Sequence, residues 1–248
     1  MDKISFNNSR GLKIVANLYS VGSNKLIIMA HGFMNDKSSN GRFEKLSRSL
    51  NKINYDTLAI DFSGCGESED DDIISKNQVG DLNSAIEFAL SKEYKKIGLF
   101  GNSFGTLACL KSYRKEVITM VLVGAITESM PYDWHEYFSK EQMGNLNKEG
   151  FFYSDTDRKH KITKQTLMDF ENINQENLVK DVNCPILIIH GNNSGDGEEL
   201  QLLERSKRAI NKMPVDSTLE IIEGGKHGLL DDWNKVIDIT HLWYEKFI

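Results

Sequence analysis

Residues 97–113 read IGLFGNSFGTLACLKSY, and this stretch decides the expected fold. The apolar run over 97–100 predicts a buried strand, and residues 104–114 predict a helix. Between them lies the pattern G-x-S-x-G, which is typical of a tight strand-to-helix turn that exposes a serine hydroxyl. Because the N-terminus of the helix beneath that hydroxyl favours developing negative charge, we predict that Ser103 is a nucleophile.

The rest of the chain continues this alternation of strands and helices. Apolar runs predict an opening hairpin and then strands over residues 25–30, 55–60, 97–100, 120–123, 186–189 and 218–222. Helical spacing of apolar residues predicts helices over residues 41–52, 76–91 and about 232–247. The alternation predicts an α/β protein with a mostly parallel central sheet and helices on both faces. In such a sheet, functional residues gather at the carboxyl ends of the strands.

A polar segment rich in aromatic residues interrupts the alternation over residues 126–177. We predict that it is a small cap, or lid, over the carboxyl edge of the sheet. Trp134, Tyr137 and Phe138 are the predicted substrate contacts, because aromatic side chains commonly line pockets for apolar ligands. The alternative is that these aromatic side chains only attach the cap to the core.

Length, charge and cysteine content restrict the class of protein. The 248 residues suit one large α/β domain, here a core over residues 1–125 and 178–248 that carries the cap. A formal net charge of −6 without any basic run argues against a nucleic-acid partner. The apolar runs are too short to cross a bilayer, so we expect no membrane insertion. The N-terminus has no apolar signal region and the three cysteines are widely separated, so we expect a cytoplasmic protein.

A serine nucleophile needs a general base and an acid that orients this base. When the serine lies on such a turn, the acid follows it along the chain and the histidine comes last. His227 lies in the glycine-rich segment GGKHG between the last predicted strand and the last helix, and it is the predicted base. Asp196 is the predicted acid, in the segment HGNNSGDGEEL after the strand over 186–189, and Glu198 is the alternative.

An oxyanion intermediate also needs two backbone N–H donors. One is expected from Phe104, directly after the predicted nucleophile. The other is expected from Phe33, in the loop that follows the first buried strand.

Five segments resemble the α/β-hydrolase superfamily in their order and spacing. They are HGFMNDKSS, AIDFSGCGES, GNSFG, PILIIHG and GGKHG. Within the superfamily, the chain is similar to the cinnamoyl/feruloyl esterase-like and serine aminopeptidase-like (Hydrolase_4) serine hydrolases. The resemblance implies the same roles for Ser103, His227, Phe33 and Phe104, and a small cap after the sixth strand.

The sequence departs from the family pattern at two positions. The family usually has H-G-x-x-D after the seventh strand, but the fifth position of this pattern is Ser194 here. The loop is therefore longer by two residues up to Asp196, or the acid has moved, or it is absent. The family often has histidine before the nucleophile, where this chain has Asn102.

These features together predict a serine hydrolase that cleaves small to medium acyl or aromatic esters through an acyl-enzyme. No metal or organic cofactor is required, and no two histidines have the spacing of metal ligands. The same residues also suit a thioesterase, an amidase or peptidase, or an acyltransferase. A non-catalytic α/β-hydrolase scaffold is the alternative outside enzymes. The sequence leaves the oligomeric state open, with a homodimer among the options.

Overall fold

Strands and helices alternate along most of the chain. The computed structural model describes residues 1–156 and 158–248. The strands are β1 (Asp2–Asn7), β2 (Lys13–Tyr19), β3 (Lys25–Ala30), β4 (Asp56–Ile60), β5 (Lys96–Asn102), β6 (Val117–Val123), β7 (Phe151–Tyr153), β8 (Lys161–Thr163), β9 (Ile186–Gly191) and β10 (Thr218–Ile222). The helices are α1 (Arg42–Lys52), α2 (Ser75–Ser91), α3 (Gly105–Lys111), α4 (Lys140–Glu149), α5 (Lys164–Glu171), α6 (Gln175–Val179), α7 (Gly197–Ala209) and α8 (Trp233–Phe247).

Within these described residues, eight strands form the main sheet in the order β1-β2-β4-β3-β5-β6-β9-β10. Strand β2 pairs antiparallel with β1 and with β4, and the neighbouring strands from β4 to β10 are all parallel. The carboxyl ends of β3, β5, β6, β9 and β10 therefore lie along one edge. This topology confirms the predicted α/β class with a mostly parallel sheet.

Both faces of the sheet are covered, which explains why its strands are continuously apolar. Successive side chains of β3 point to opposite faces: Leu26 and Ile28 pack on the side of α2, α3 and α7, whereas Ile27 and Met29 pack on the side of α1 and α8. All four side chains are fully buried. No helix in the described part of the chain is long and apolar enough to cross a membrane.

The elements around the G-x-S-x-G turn differ slightly from their predicted limits. Strand β5 continues to Asn102, because Gly101 and Asn102 still pair with Leu122 and Val123 of β6. Helix α3 ends at Lys111, three residues before the predicted end. Ser103 therefore directly follows the last residue of β5, and only Phe104 separates it from the first residue of α3.

The predicted cap segment contains helices α4 and α5, the first three residues of α6 and the antiparallel pair β7–β8. Phe170 of α5 attaches it to the core, with ring centroids 4.4 Å from Phe104 and 5.3 Å from Phe33. Buried cap residues such as Phe152 and Ile162 belong to the same hydrophobic cluster as the sheet. The division into core and cap stays a prediction.

Candidate active site

Ser103 lies at the sharp turn between β5 and α3. Its φ of 51° is in the left-handed region, which is unfavourable for a residue with a side chain. Two hydrogen bonds hold this conformation: Ser103 N–H donates to Val123 O at 2.8 Å, and Thr106 Oγ1 donates to Ser103 O at 2.6 Å. The turn presents a half-buried serine at the carboxyl edge of the sheet.

Both glycines of the motif are required by close packing. A Cβ atom on Gly105 would collide with the backbone carbonyls of Ala30 and His31, the latter at 2.5 Å. A Cβ atom on Gly101 would lie 2.9 Å from Cα of Thr106. The motif therefore reflects the approach of α3 to β3 and β5, as well as the exposure of Ser103.

His227 lies beside Ser103, on a short 3-10 turn between β10 and α8. Its Nε2 atom is 3.0 Å from Oγ of Ser103. The imidazole needs the absence of a side chain at Gly124, where a Cβ atom would lie 2.9 Å from Cε1 of His227. Because Gly124 directly follows β6, the carboxyl end of that strand packs against the imidazole ring of His227.

The carboxylate that contacts His227 is not one of the two that the sequence suggested. Oε2 of Glu199 lies 2.7 Å from Nδ1 of His227. Asp196 instead accepts the backbone N–H groups of Glu199 at 3.0 Å and of His227 at 2.8 Å, so it caps α7 and anchors the histidine loop. Glu198 accepts the hydroxyl of Tyr132 at 2.7 Å. The structure thus brings Glu199, and neither the predicted Asp196 nor the alternative Glu198, to the side chain of His227.

A signal for Glu199 was present in the sequence. Aspartate followed by glutamate three residues later is typical of a helix N-terminus, where Asp196 caps the first turn. The buried residues of α7 recur at helical spacing from Glu199 through Leu202, Leu203 and Ser206. A carboxylate on the core-facing stripe of a helix is costly to bury, and it therefore needs specific partners.

Hydrogen bonds determine the charge of Glu199 and the pKa of its partner His227. Burial opposes ionisation of Glu199, but hydrogen bonds from His190 and His227 outweigh this effect and lower the pKa of its carboxyl to about 2. Burial also lowers the pKa of His227, but the hydrogen bond to Glu199 and the nearby charges of Glu198 and Asp196 raise it above the ordinary histidine value. Glu199 is thus ionised at neutral pH, and Nδ1 of His227 is the donor between them.

The two predicted oxyanion donors are Phe104, which directly follows Ser103, and Phe33, in the loop after β3. A Cβ atom on Gly32 would lie 3.3 Å from Cβ of Ser103, so the loop with Phe33 lies against the turn. His31 supports this loop, since its Nδ1–H donates to Gly32 O at 2.8 Å and its Nε2 accepts Phe62 N–H at 3.2 Å. Among the hydrogen bonds of the described residues, none uses the backbone N–H of Phe33 or Phe104.

Sequence comparison assigns the family. The model described as "Hydrolase_4: Serine aminopeptidase, S33" matches residues 22–146, about half of the chain. The chain belongs to the Hydrolase_4 family. This finding confirms the resemblance noted in the sequence. A comparison with curated proteins found no significant match.

Solved structures similar to this Hydrolase_4 protein include several esterases. Est1E from Butyrivibrio proteoclasticus, with bound ferulic acid, is 18% identical, with a TM-score of 0.77 over 98% of each chain. An esterase from Exiguobacterium antarcticum is 18% identical, with a TM-score of 0.76 over 98% of this chain and all of that one. An esterase from Pyrococcus furiosus is 18% identical, with a TM-score of 0.74 over 99% and 91%. At this identity the likeness shows the α/β-hydrolase fold.

The aromatic residues predicted to contact substrate occupy different environments in this Hydrolase_4 protein. Trp134 and Phe138 are buried, and Nε1–H of Trp134 donates to Glu171 at 2.6 Å. Tyr137 is half exposed. Two further aromatic residues were not predicted as substrate contacts: the buried Phe170 stacks on Phe104, and Tyr132 hydrogen-bonds to Glu198. Contact of Trp134, Tyr137 and Phe138 with substrate stays a prediction.

Arg42 is another residue near the site that sequence reasoning missed. It is buried, and it donates to Gly228 O at 2.6 Å and to Oδ1 of Asn102 at 3.3 Å. It also donates to Ser39 O at 2.9 Å and lies 5.2 Å from the ring of Trp233. One side chain thus links the histidine loop to the residue before Ser103. This contact gives the unusual Asn102 a structural role.

No group of three or more His, Cys, Asp or Glu side chains in the described residues is arranged to hold a metal ion. The side chains of Ser103, His227 and Glu199 form one continuous series of hydrogen bonds. Their arrangement suits transfer of a proton from a hydroxyl to an imidazole that a buried anion orients.

Proposed function

We propose that the protein is a serine esterase that hydrolyses carboxylic esters through an acyl-enzyme. The observation that carries the proposal is the alignment of three groups. Oγ of Ser103 lies 3.0 Å from Nε2 of His227, and Nδ1 of the same ring lies 2.7 Å from Glu199. Family membership and the esterase neighbours support the same class of reaction.

The mechanism follows from the tautomer that Glu199 selects. With Nδ1–H donated to Glu199, the lone pair of Nε2 faces the hydroxyl of Ser103. Oγ attacks the ester carbonyl as its proton moves to Nε2, and the N–H groups of Phe33 and Phe104 stabilise the oxyanion. The Nε2 proton then passes to the departing alkoxide, which leaves as an alcohol. Water repeats the sequence and releases the carboxylic acid.

The surroundings of Ser103 favour a substrate with an aromatic or apolar group. The partly buried ring of Phe33 packs edge to face on the fully buried ring of Phe104, with ring centroids 5.8 Å apart, and the half-exposed Tyr137 offers a further ring. Aromatic surfaces of this kind suit small to medium acyl or aromatic esters. Est1E is described with bound ferulic acid, so an aromatic ester is a sensible first substrate.

A second candidate is hydrolysis of an amide next to a free amino group. The carboxylates of Glu198 and Asp196 lie close enough to His227 to raise its pKa. The same negative charges would attract the ammonium group of an aminoacyl substrate. The family description as a serine aminopeptidase supports this alternative.

The deciding experiment compares the wild-type protein with Ser103→Ala on matched p-nitrophenyl esters, a thioester and aminoacyl p-nitroanilides. We expect ester hydrolysis to dominate and to fall by about 10⁵-fold or more in the variant, as for nucleophile removal in other serine hydrolases. Labelling with a fluorophosphonate should modify Ser103 and be absent from Ser103→Ala. Faster turnover of anilides would favour the amide hydrolase, and an unlabelled wild-type protein would favour a non-catalytic scaffold.

A further inference from the structure

Glu199 contacts a second histidine besides His227. Nδ1 of His190, at the end of β9, lies 2.8 Å from Oε1 of Glu199, and the N–H of Gly191 donates to the same oxygen at 2.7 Å. The side chains of His190 and Glu199 are both fully buried. One carboxylate is therefore shared by two imidazoles, each through its Nδ1 atom.

The hydrogen bonds determine the protonation of His190. Glu199 is ionised and can only accept, so Nδ1 of His190 carries a proton. Nε2 of His190 lies 2.9 Å from Oγ of Ser206, which in turn lies 3.4 Å from Oγ1 of Thr127. Both ring nitrogens therefore have protein partners, and only the one at Nδ1 is part of the Ser103 site.

We propose that His190 is a positioning residue for the Ser103 site, because its Nδ1–H fixes the Glu199 carboxylate in the orientation that engages His227. The inference rests on the proposed function and names a fourth member of the hydrogen-bonded chain. His190 touches neither Ser103 nor His227, so it acts through Glu199.

The position of Glu199 in the chain explains why its carboxylate needs the hydrogen bond from His190. The family pattern places a short aspartate in the loop after the strand, where this chain has Ser194. Glu199 instead reaches the site from the first turn of α7, and its side chain has one more rotatable bond than aspartate. That extra freedom must be restricted before the carboxylate can orient a base. His190 and Gly191 both hold Oε1, and Oε2 is left for His227.

The charged groups around His227 allow a directional test. Glu199, Glu198 and Asp196 approach from the α7 side and raise its pKa, and the Arg42 guanidinium contacts the next residue, Gly228, from the α1 side. Without the donor of His190, the Glu199 carboxylate can turn away from His227. The pKa of His227 then falls toward its ordinary value, and the acidic limb of kcat/KM moves to lower pH.

The variants are His190→Leu, which removes the donor, and His190→Asn, whose amide N–H replaces Nδ1–H. Ser206→Ala is the matched control, because it removes the partner of Nε2 and leaves the bond to Glu199. We expect His190→Leu to lower kcat about tenfold with KM unchanged, as for outer groups that orient metal ligands. In His190→Leu the acidic limb of the kcat/KM profile should also move to lower pH. His190→Asn should restore both the wild-type kcat and the wild-type position of this limb. A loss of thermal stability with kcat and the limb unchanged would overturn the proposal, as would a limb moved to higher pH.

Two measurements do not depend on substrate. The ring pKa of His227, followed by NMR of histidine-labelled protein, should fall in His190→Leu and stay unchanged in Ser206→Ala. In the wild-type protein, a His190 ring protonated at Nδ1 supports the proposal, and an unprotonated Nδ1 overturns it even where no variant folds. If fluorophosphonate does not label the wild-type protein, the esterase proposal alone is contradicted. The role of His190 is still decided by the NMR titration of His227, which does not depend on catalysis.

Discussion

Oε2 of Glu199 lies 2.7 Å from Nδ1 of His227, while the carboxylate of Asp196 is occupied by two backbone N–H groups. The carboxylate that contacts the imidazole therefore comes from the first turn of α7 and not from the loop before it. Each carboxylate has a distinct set of partners, so their contributions can be separated by substitution.

The first prediction compares Glu199→Gln with Asp196→Asn. The amide introduced by Glu199→Gln would offer a donor to Nδ1 and favour the wrong tautomer of His227, so we expect kcat to fall by about 10³–10⁴-fold, near the effect in the serine protease triad. Asp196→Asn keeps one oxygen to cap α7 but turns an NH₂ group toward the backbone N–H of His227, so it should cost about 1 kcal/mol of stability through that lost hydrogen bond, with a smaller loss of kcat. Steady-state kinetics with denaturant unfolding measures both effects. A larger loss of kcat in Asp196→Asn would return the role of the acid to that residue.

The second prediction concerns pH. Base catalysis needs neutral His227, and the hydrogen bond to Glu199 raises its pKa, so kcat/KM should rise through a midpoint above 6.5. Glu199→Gln should move this midpoint to lower pH, because the hydrogen bond to an anion is lost. The measurement is the pH profile of kcat/KM between about pH 5 and 9. A flat profile, or a wild-type midpoint below the ordinary histidine value, would contradict the assignment of His227.

The same ion pair predicts how stability depends on pH. Since the pKa of His227 is raised on folding, its stabilising effect is complete below the unfolded value and declines as pH rises through the folded value. The pKa of Glu199 is lowered, so its effect is present above about pH 4.5 and is lost as pH falls toward 2. Denaturant unfolding at several pH values should show both declines, and both should be smaller in Glu199→Gln.

The third prediction tests the packing of the nucleophile turn. Gly105→Ala places a Cβ atom against the carbonyls of Ala30 and His31, so we expect a loss of about 1–3 kcal/mol in the free energy of unfolding. Gly144→Ala, on the exposed side of α4, meets nothing within 4 Å and should stabilise the protein by about 0.5–1 kcal/mol. Denaturant unfolding of both variants provides the comparison. Equal stabilities would show that the close approach of α3 to β3 is not required.

The fourth prediction concerns Arg42, which links the histidine loop to the nucleophile strand. Arg42→Met leaves Gly228 O and Asn102 Oδ1 without their donor, so we expect a loss of about 1–3 kcal/mol of stability together with reduced kcat. Arg48→Met on the same helix removes an exposed pair with Glu44 and should cost about 0.3–0.5 kcal/mol with kcat unchanged. If the two variants behave alike, Arg42 does not couple the histidine loop to the nucleophile strand.

Much of the fold was predictable from local pattern. The continuous apolar run over residues 25–30 predicted β3 with the observed limits, since a strand covered on both faces needs apolar side chains throughout. Ser103 and His227 were predictable as a pair from their glycine-rich turns, and they lie 3.0 Å apart. Their catalytic roles remain predictions. The limits of α3 were less predictable, because helix ends depend on capping contacts.

The amino-acid sequence by itself determined the alternation of strands and helices, the G-x-S-x-G turn and the histidine loop. Each of these depends on residues that are neighbours along the chain. Only the tertiary structure decided which carboxylate among Asp196, Glu198 and Glu199 faces His227. That choice depends on the phase of α7 against the end of β10, two segments that meet only when the chain folds. Arg42 belongs to the same category, because its partners in Asn102 and Gly228 are adjacent only after the sheet has formed.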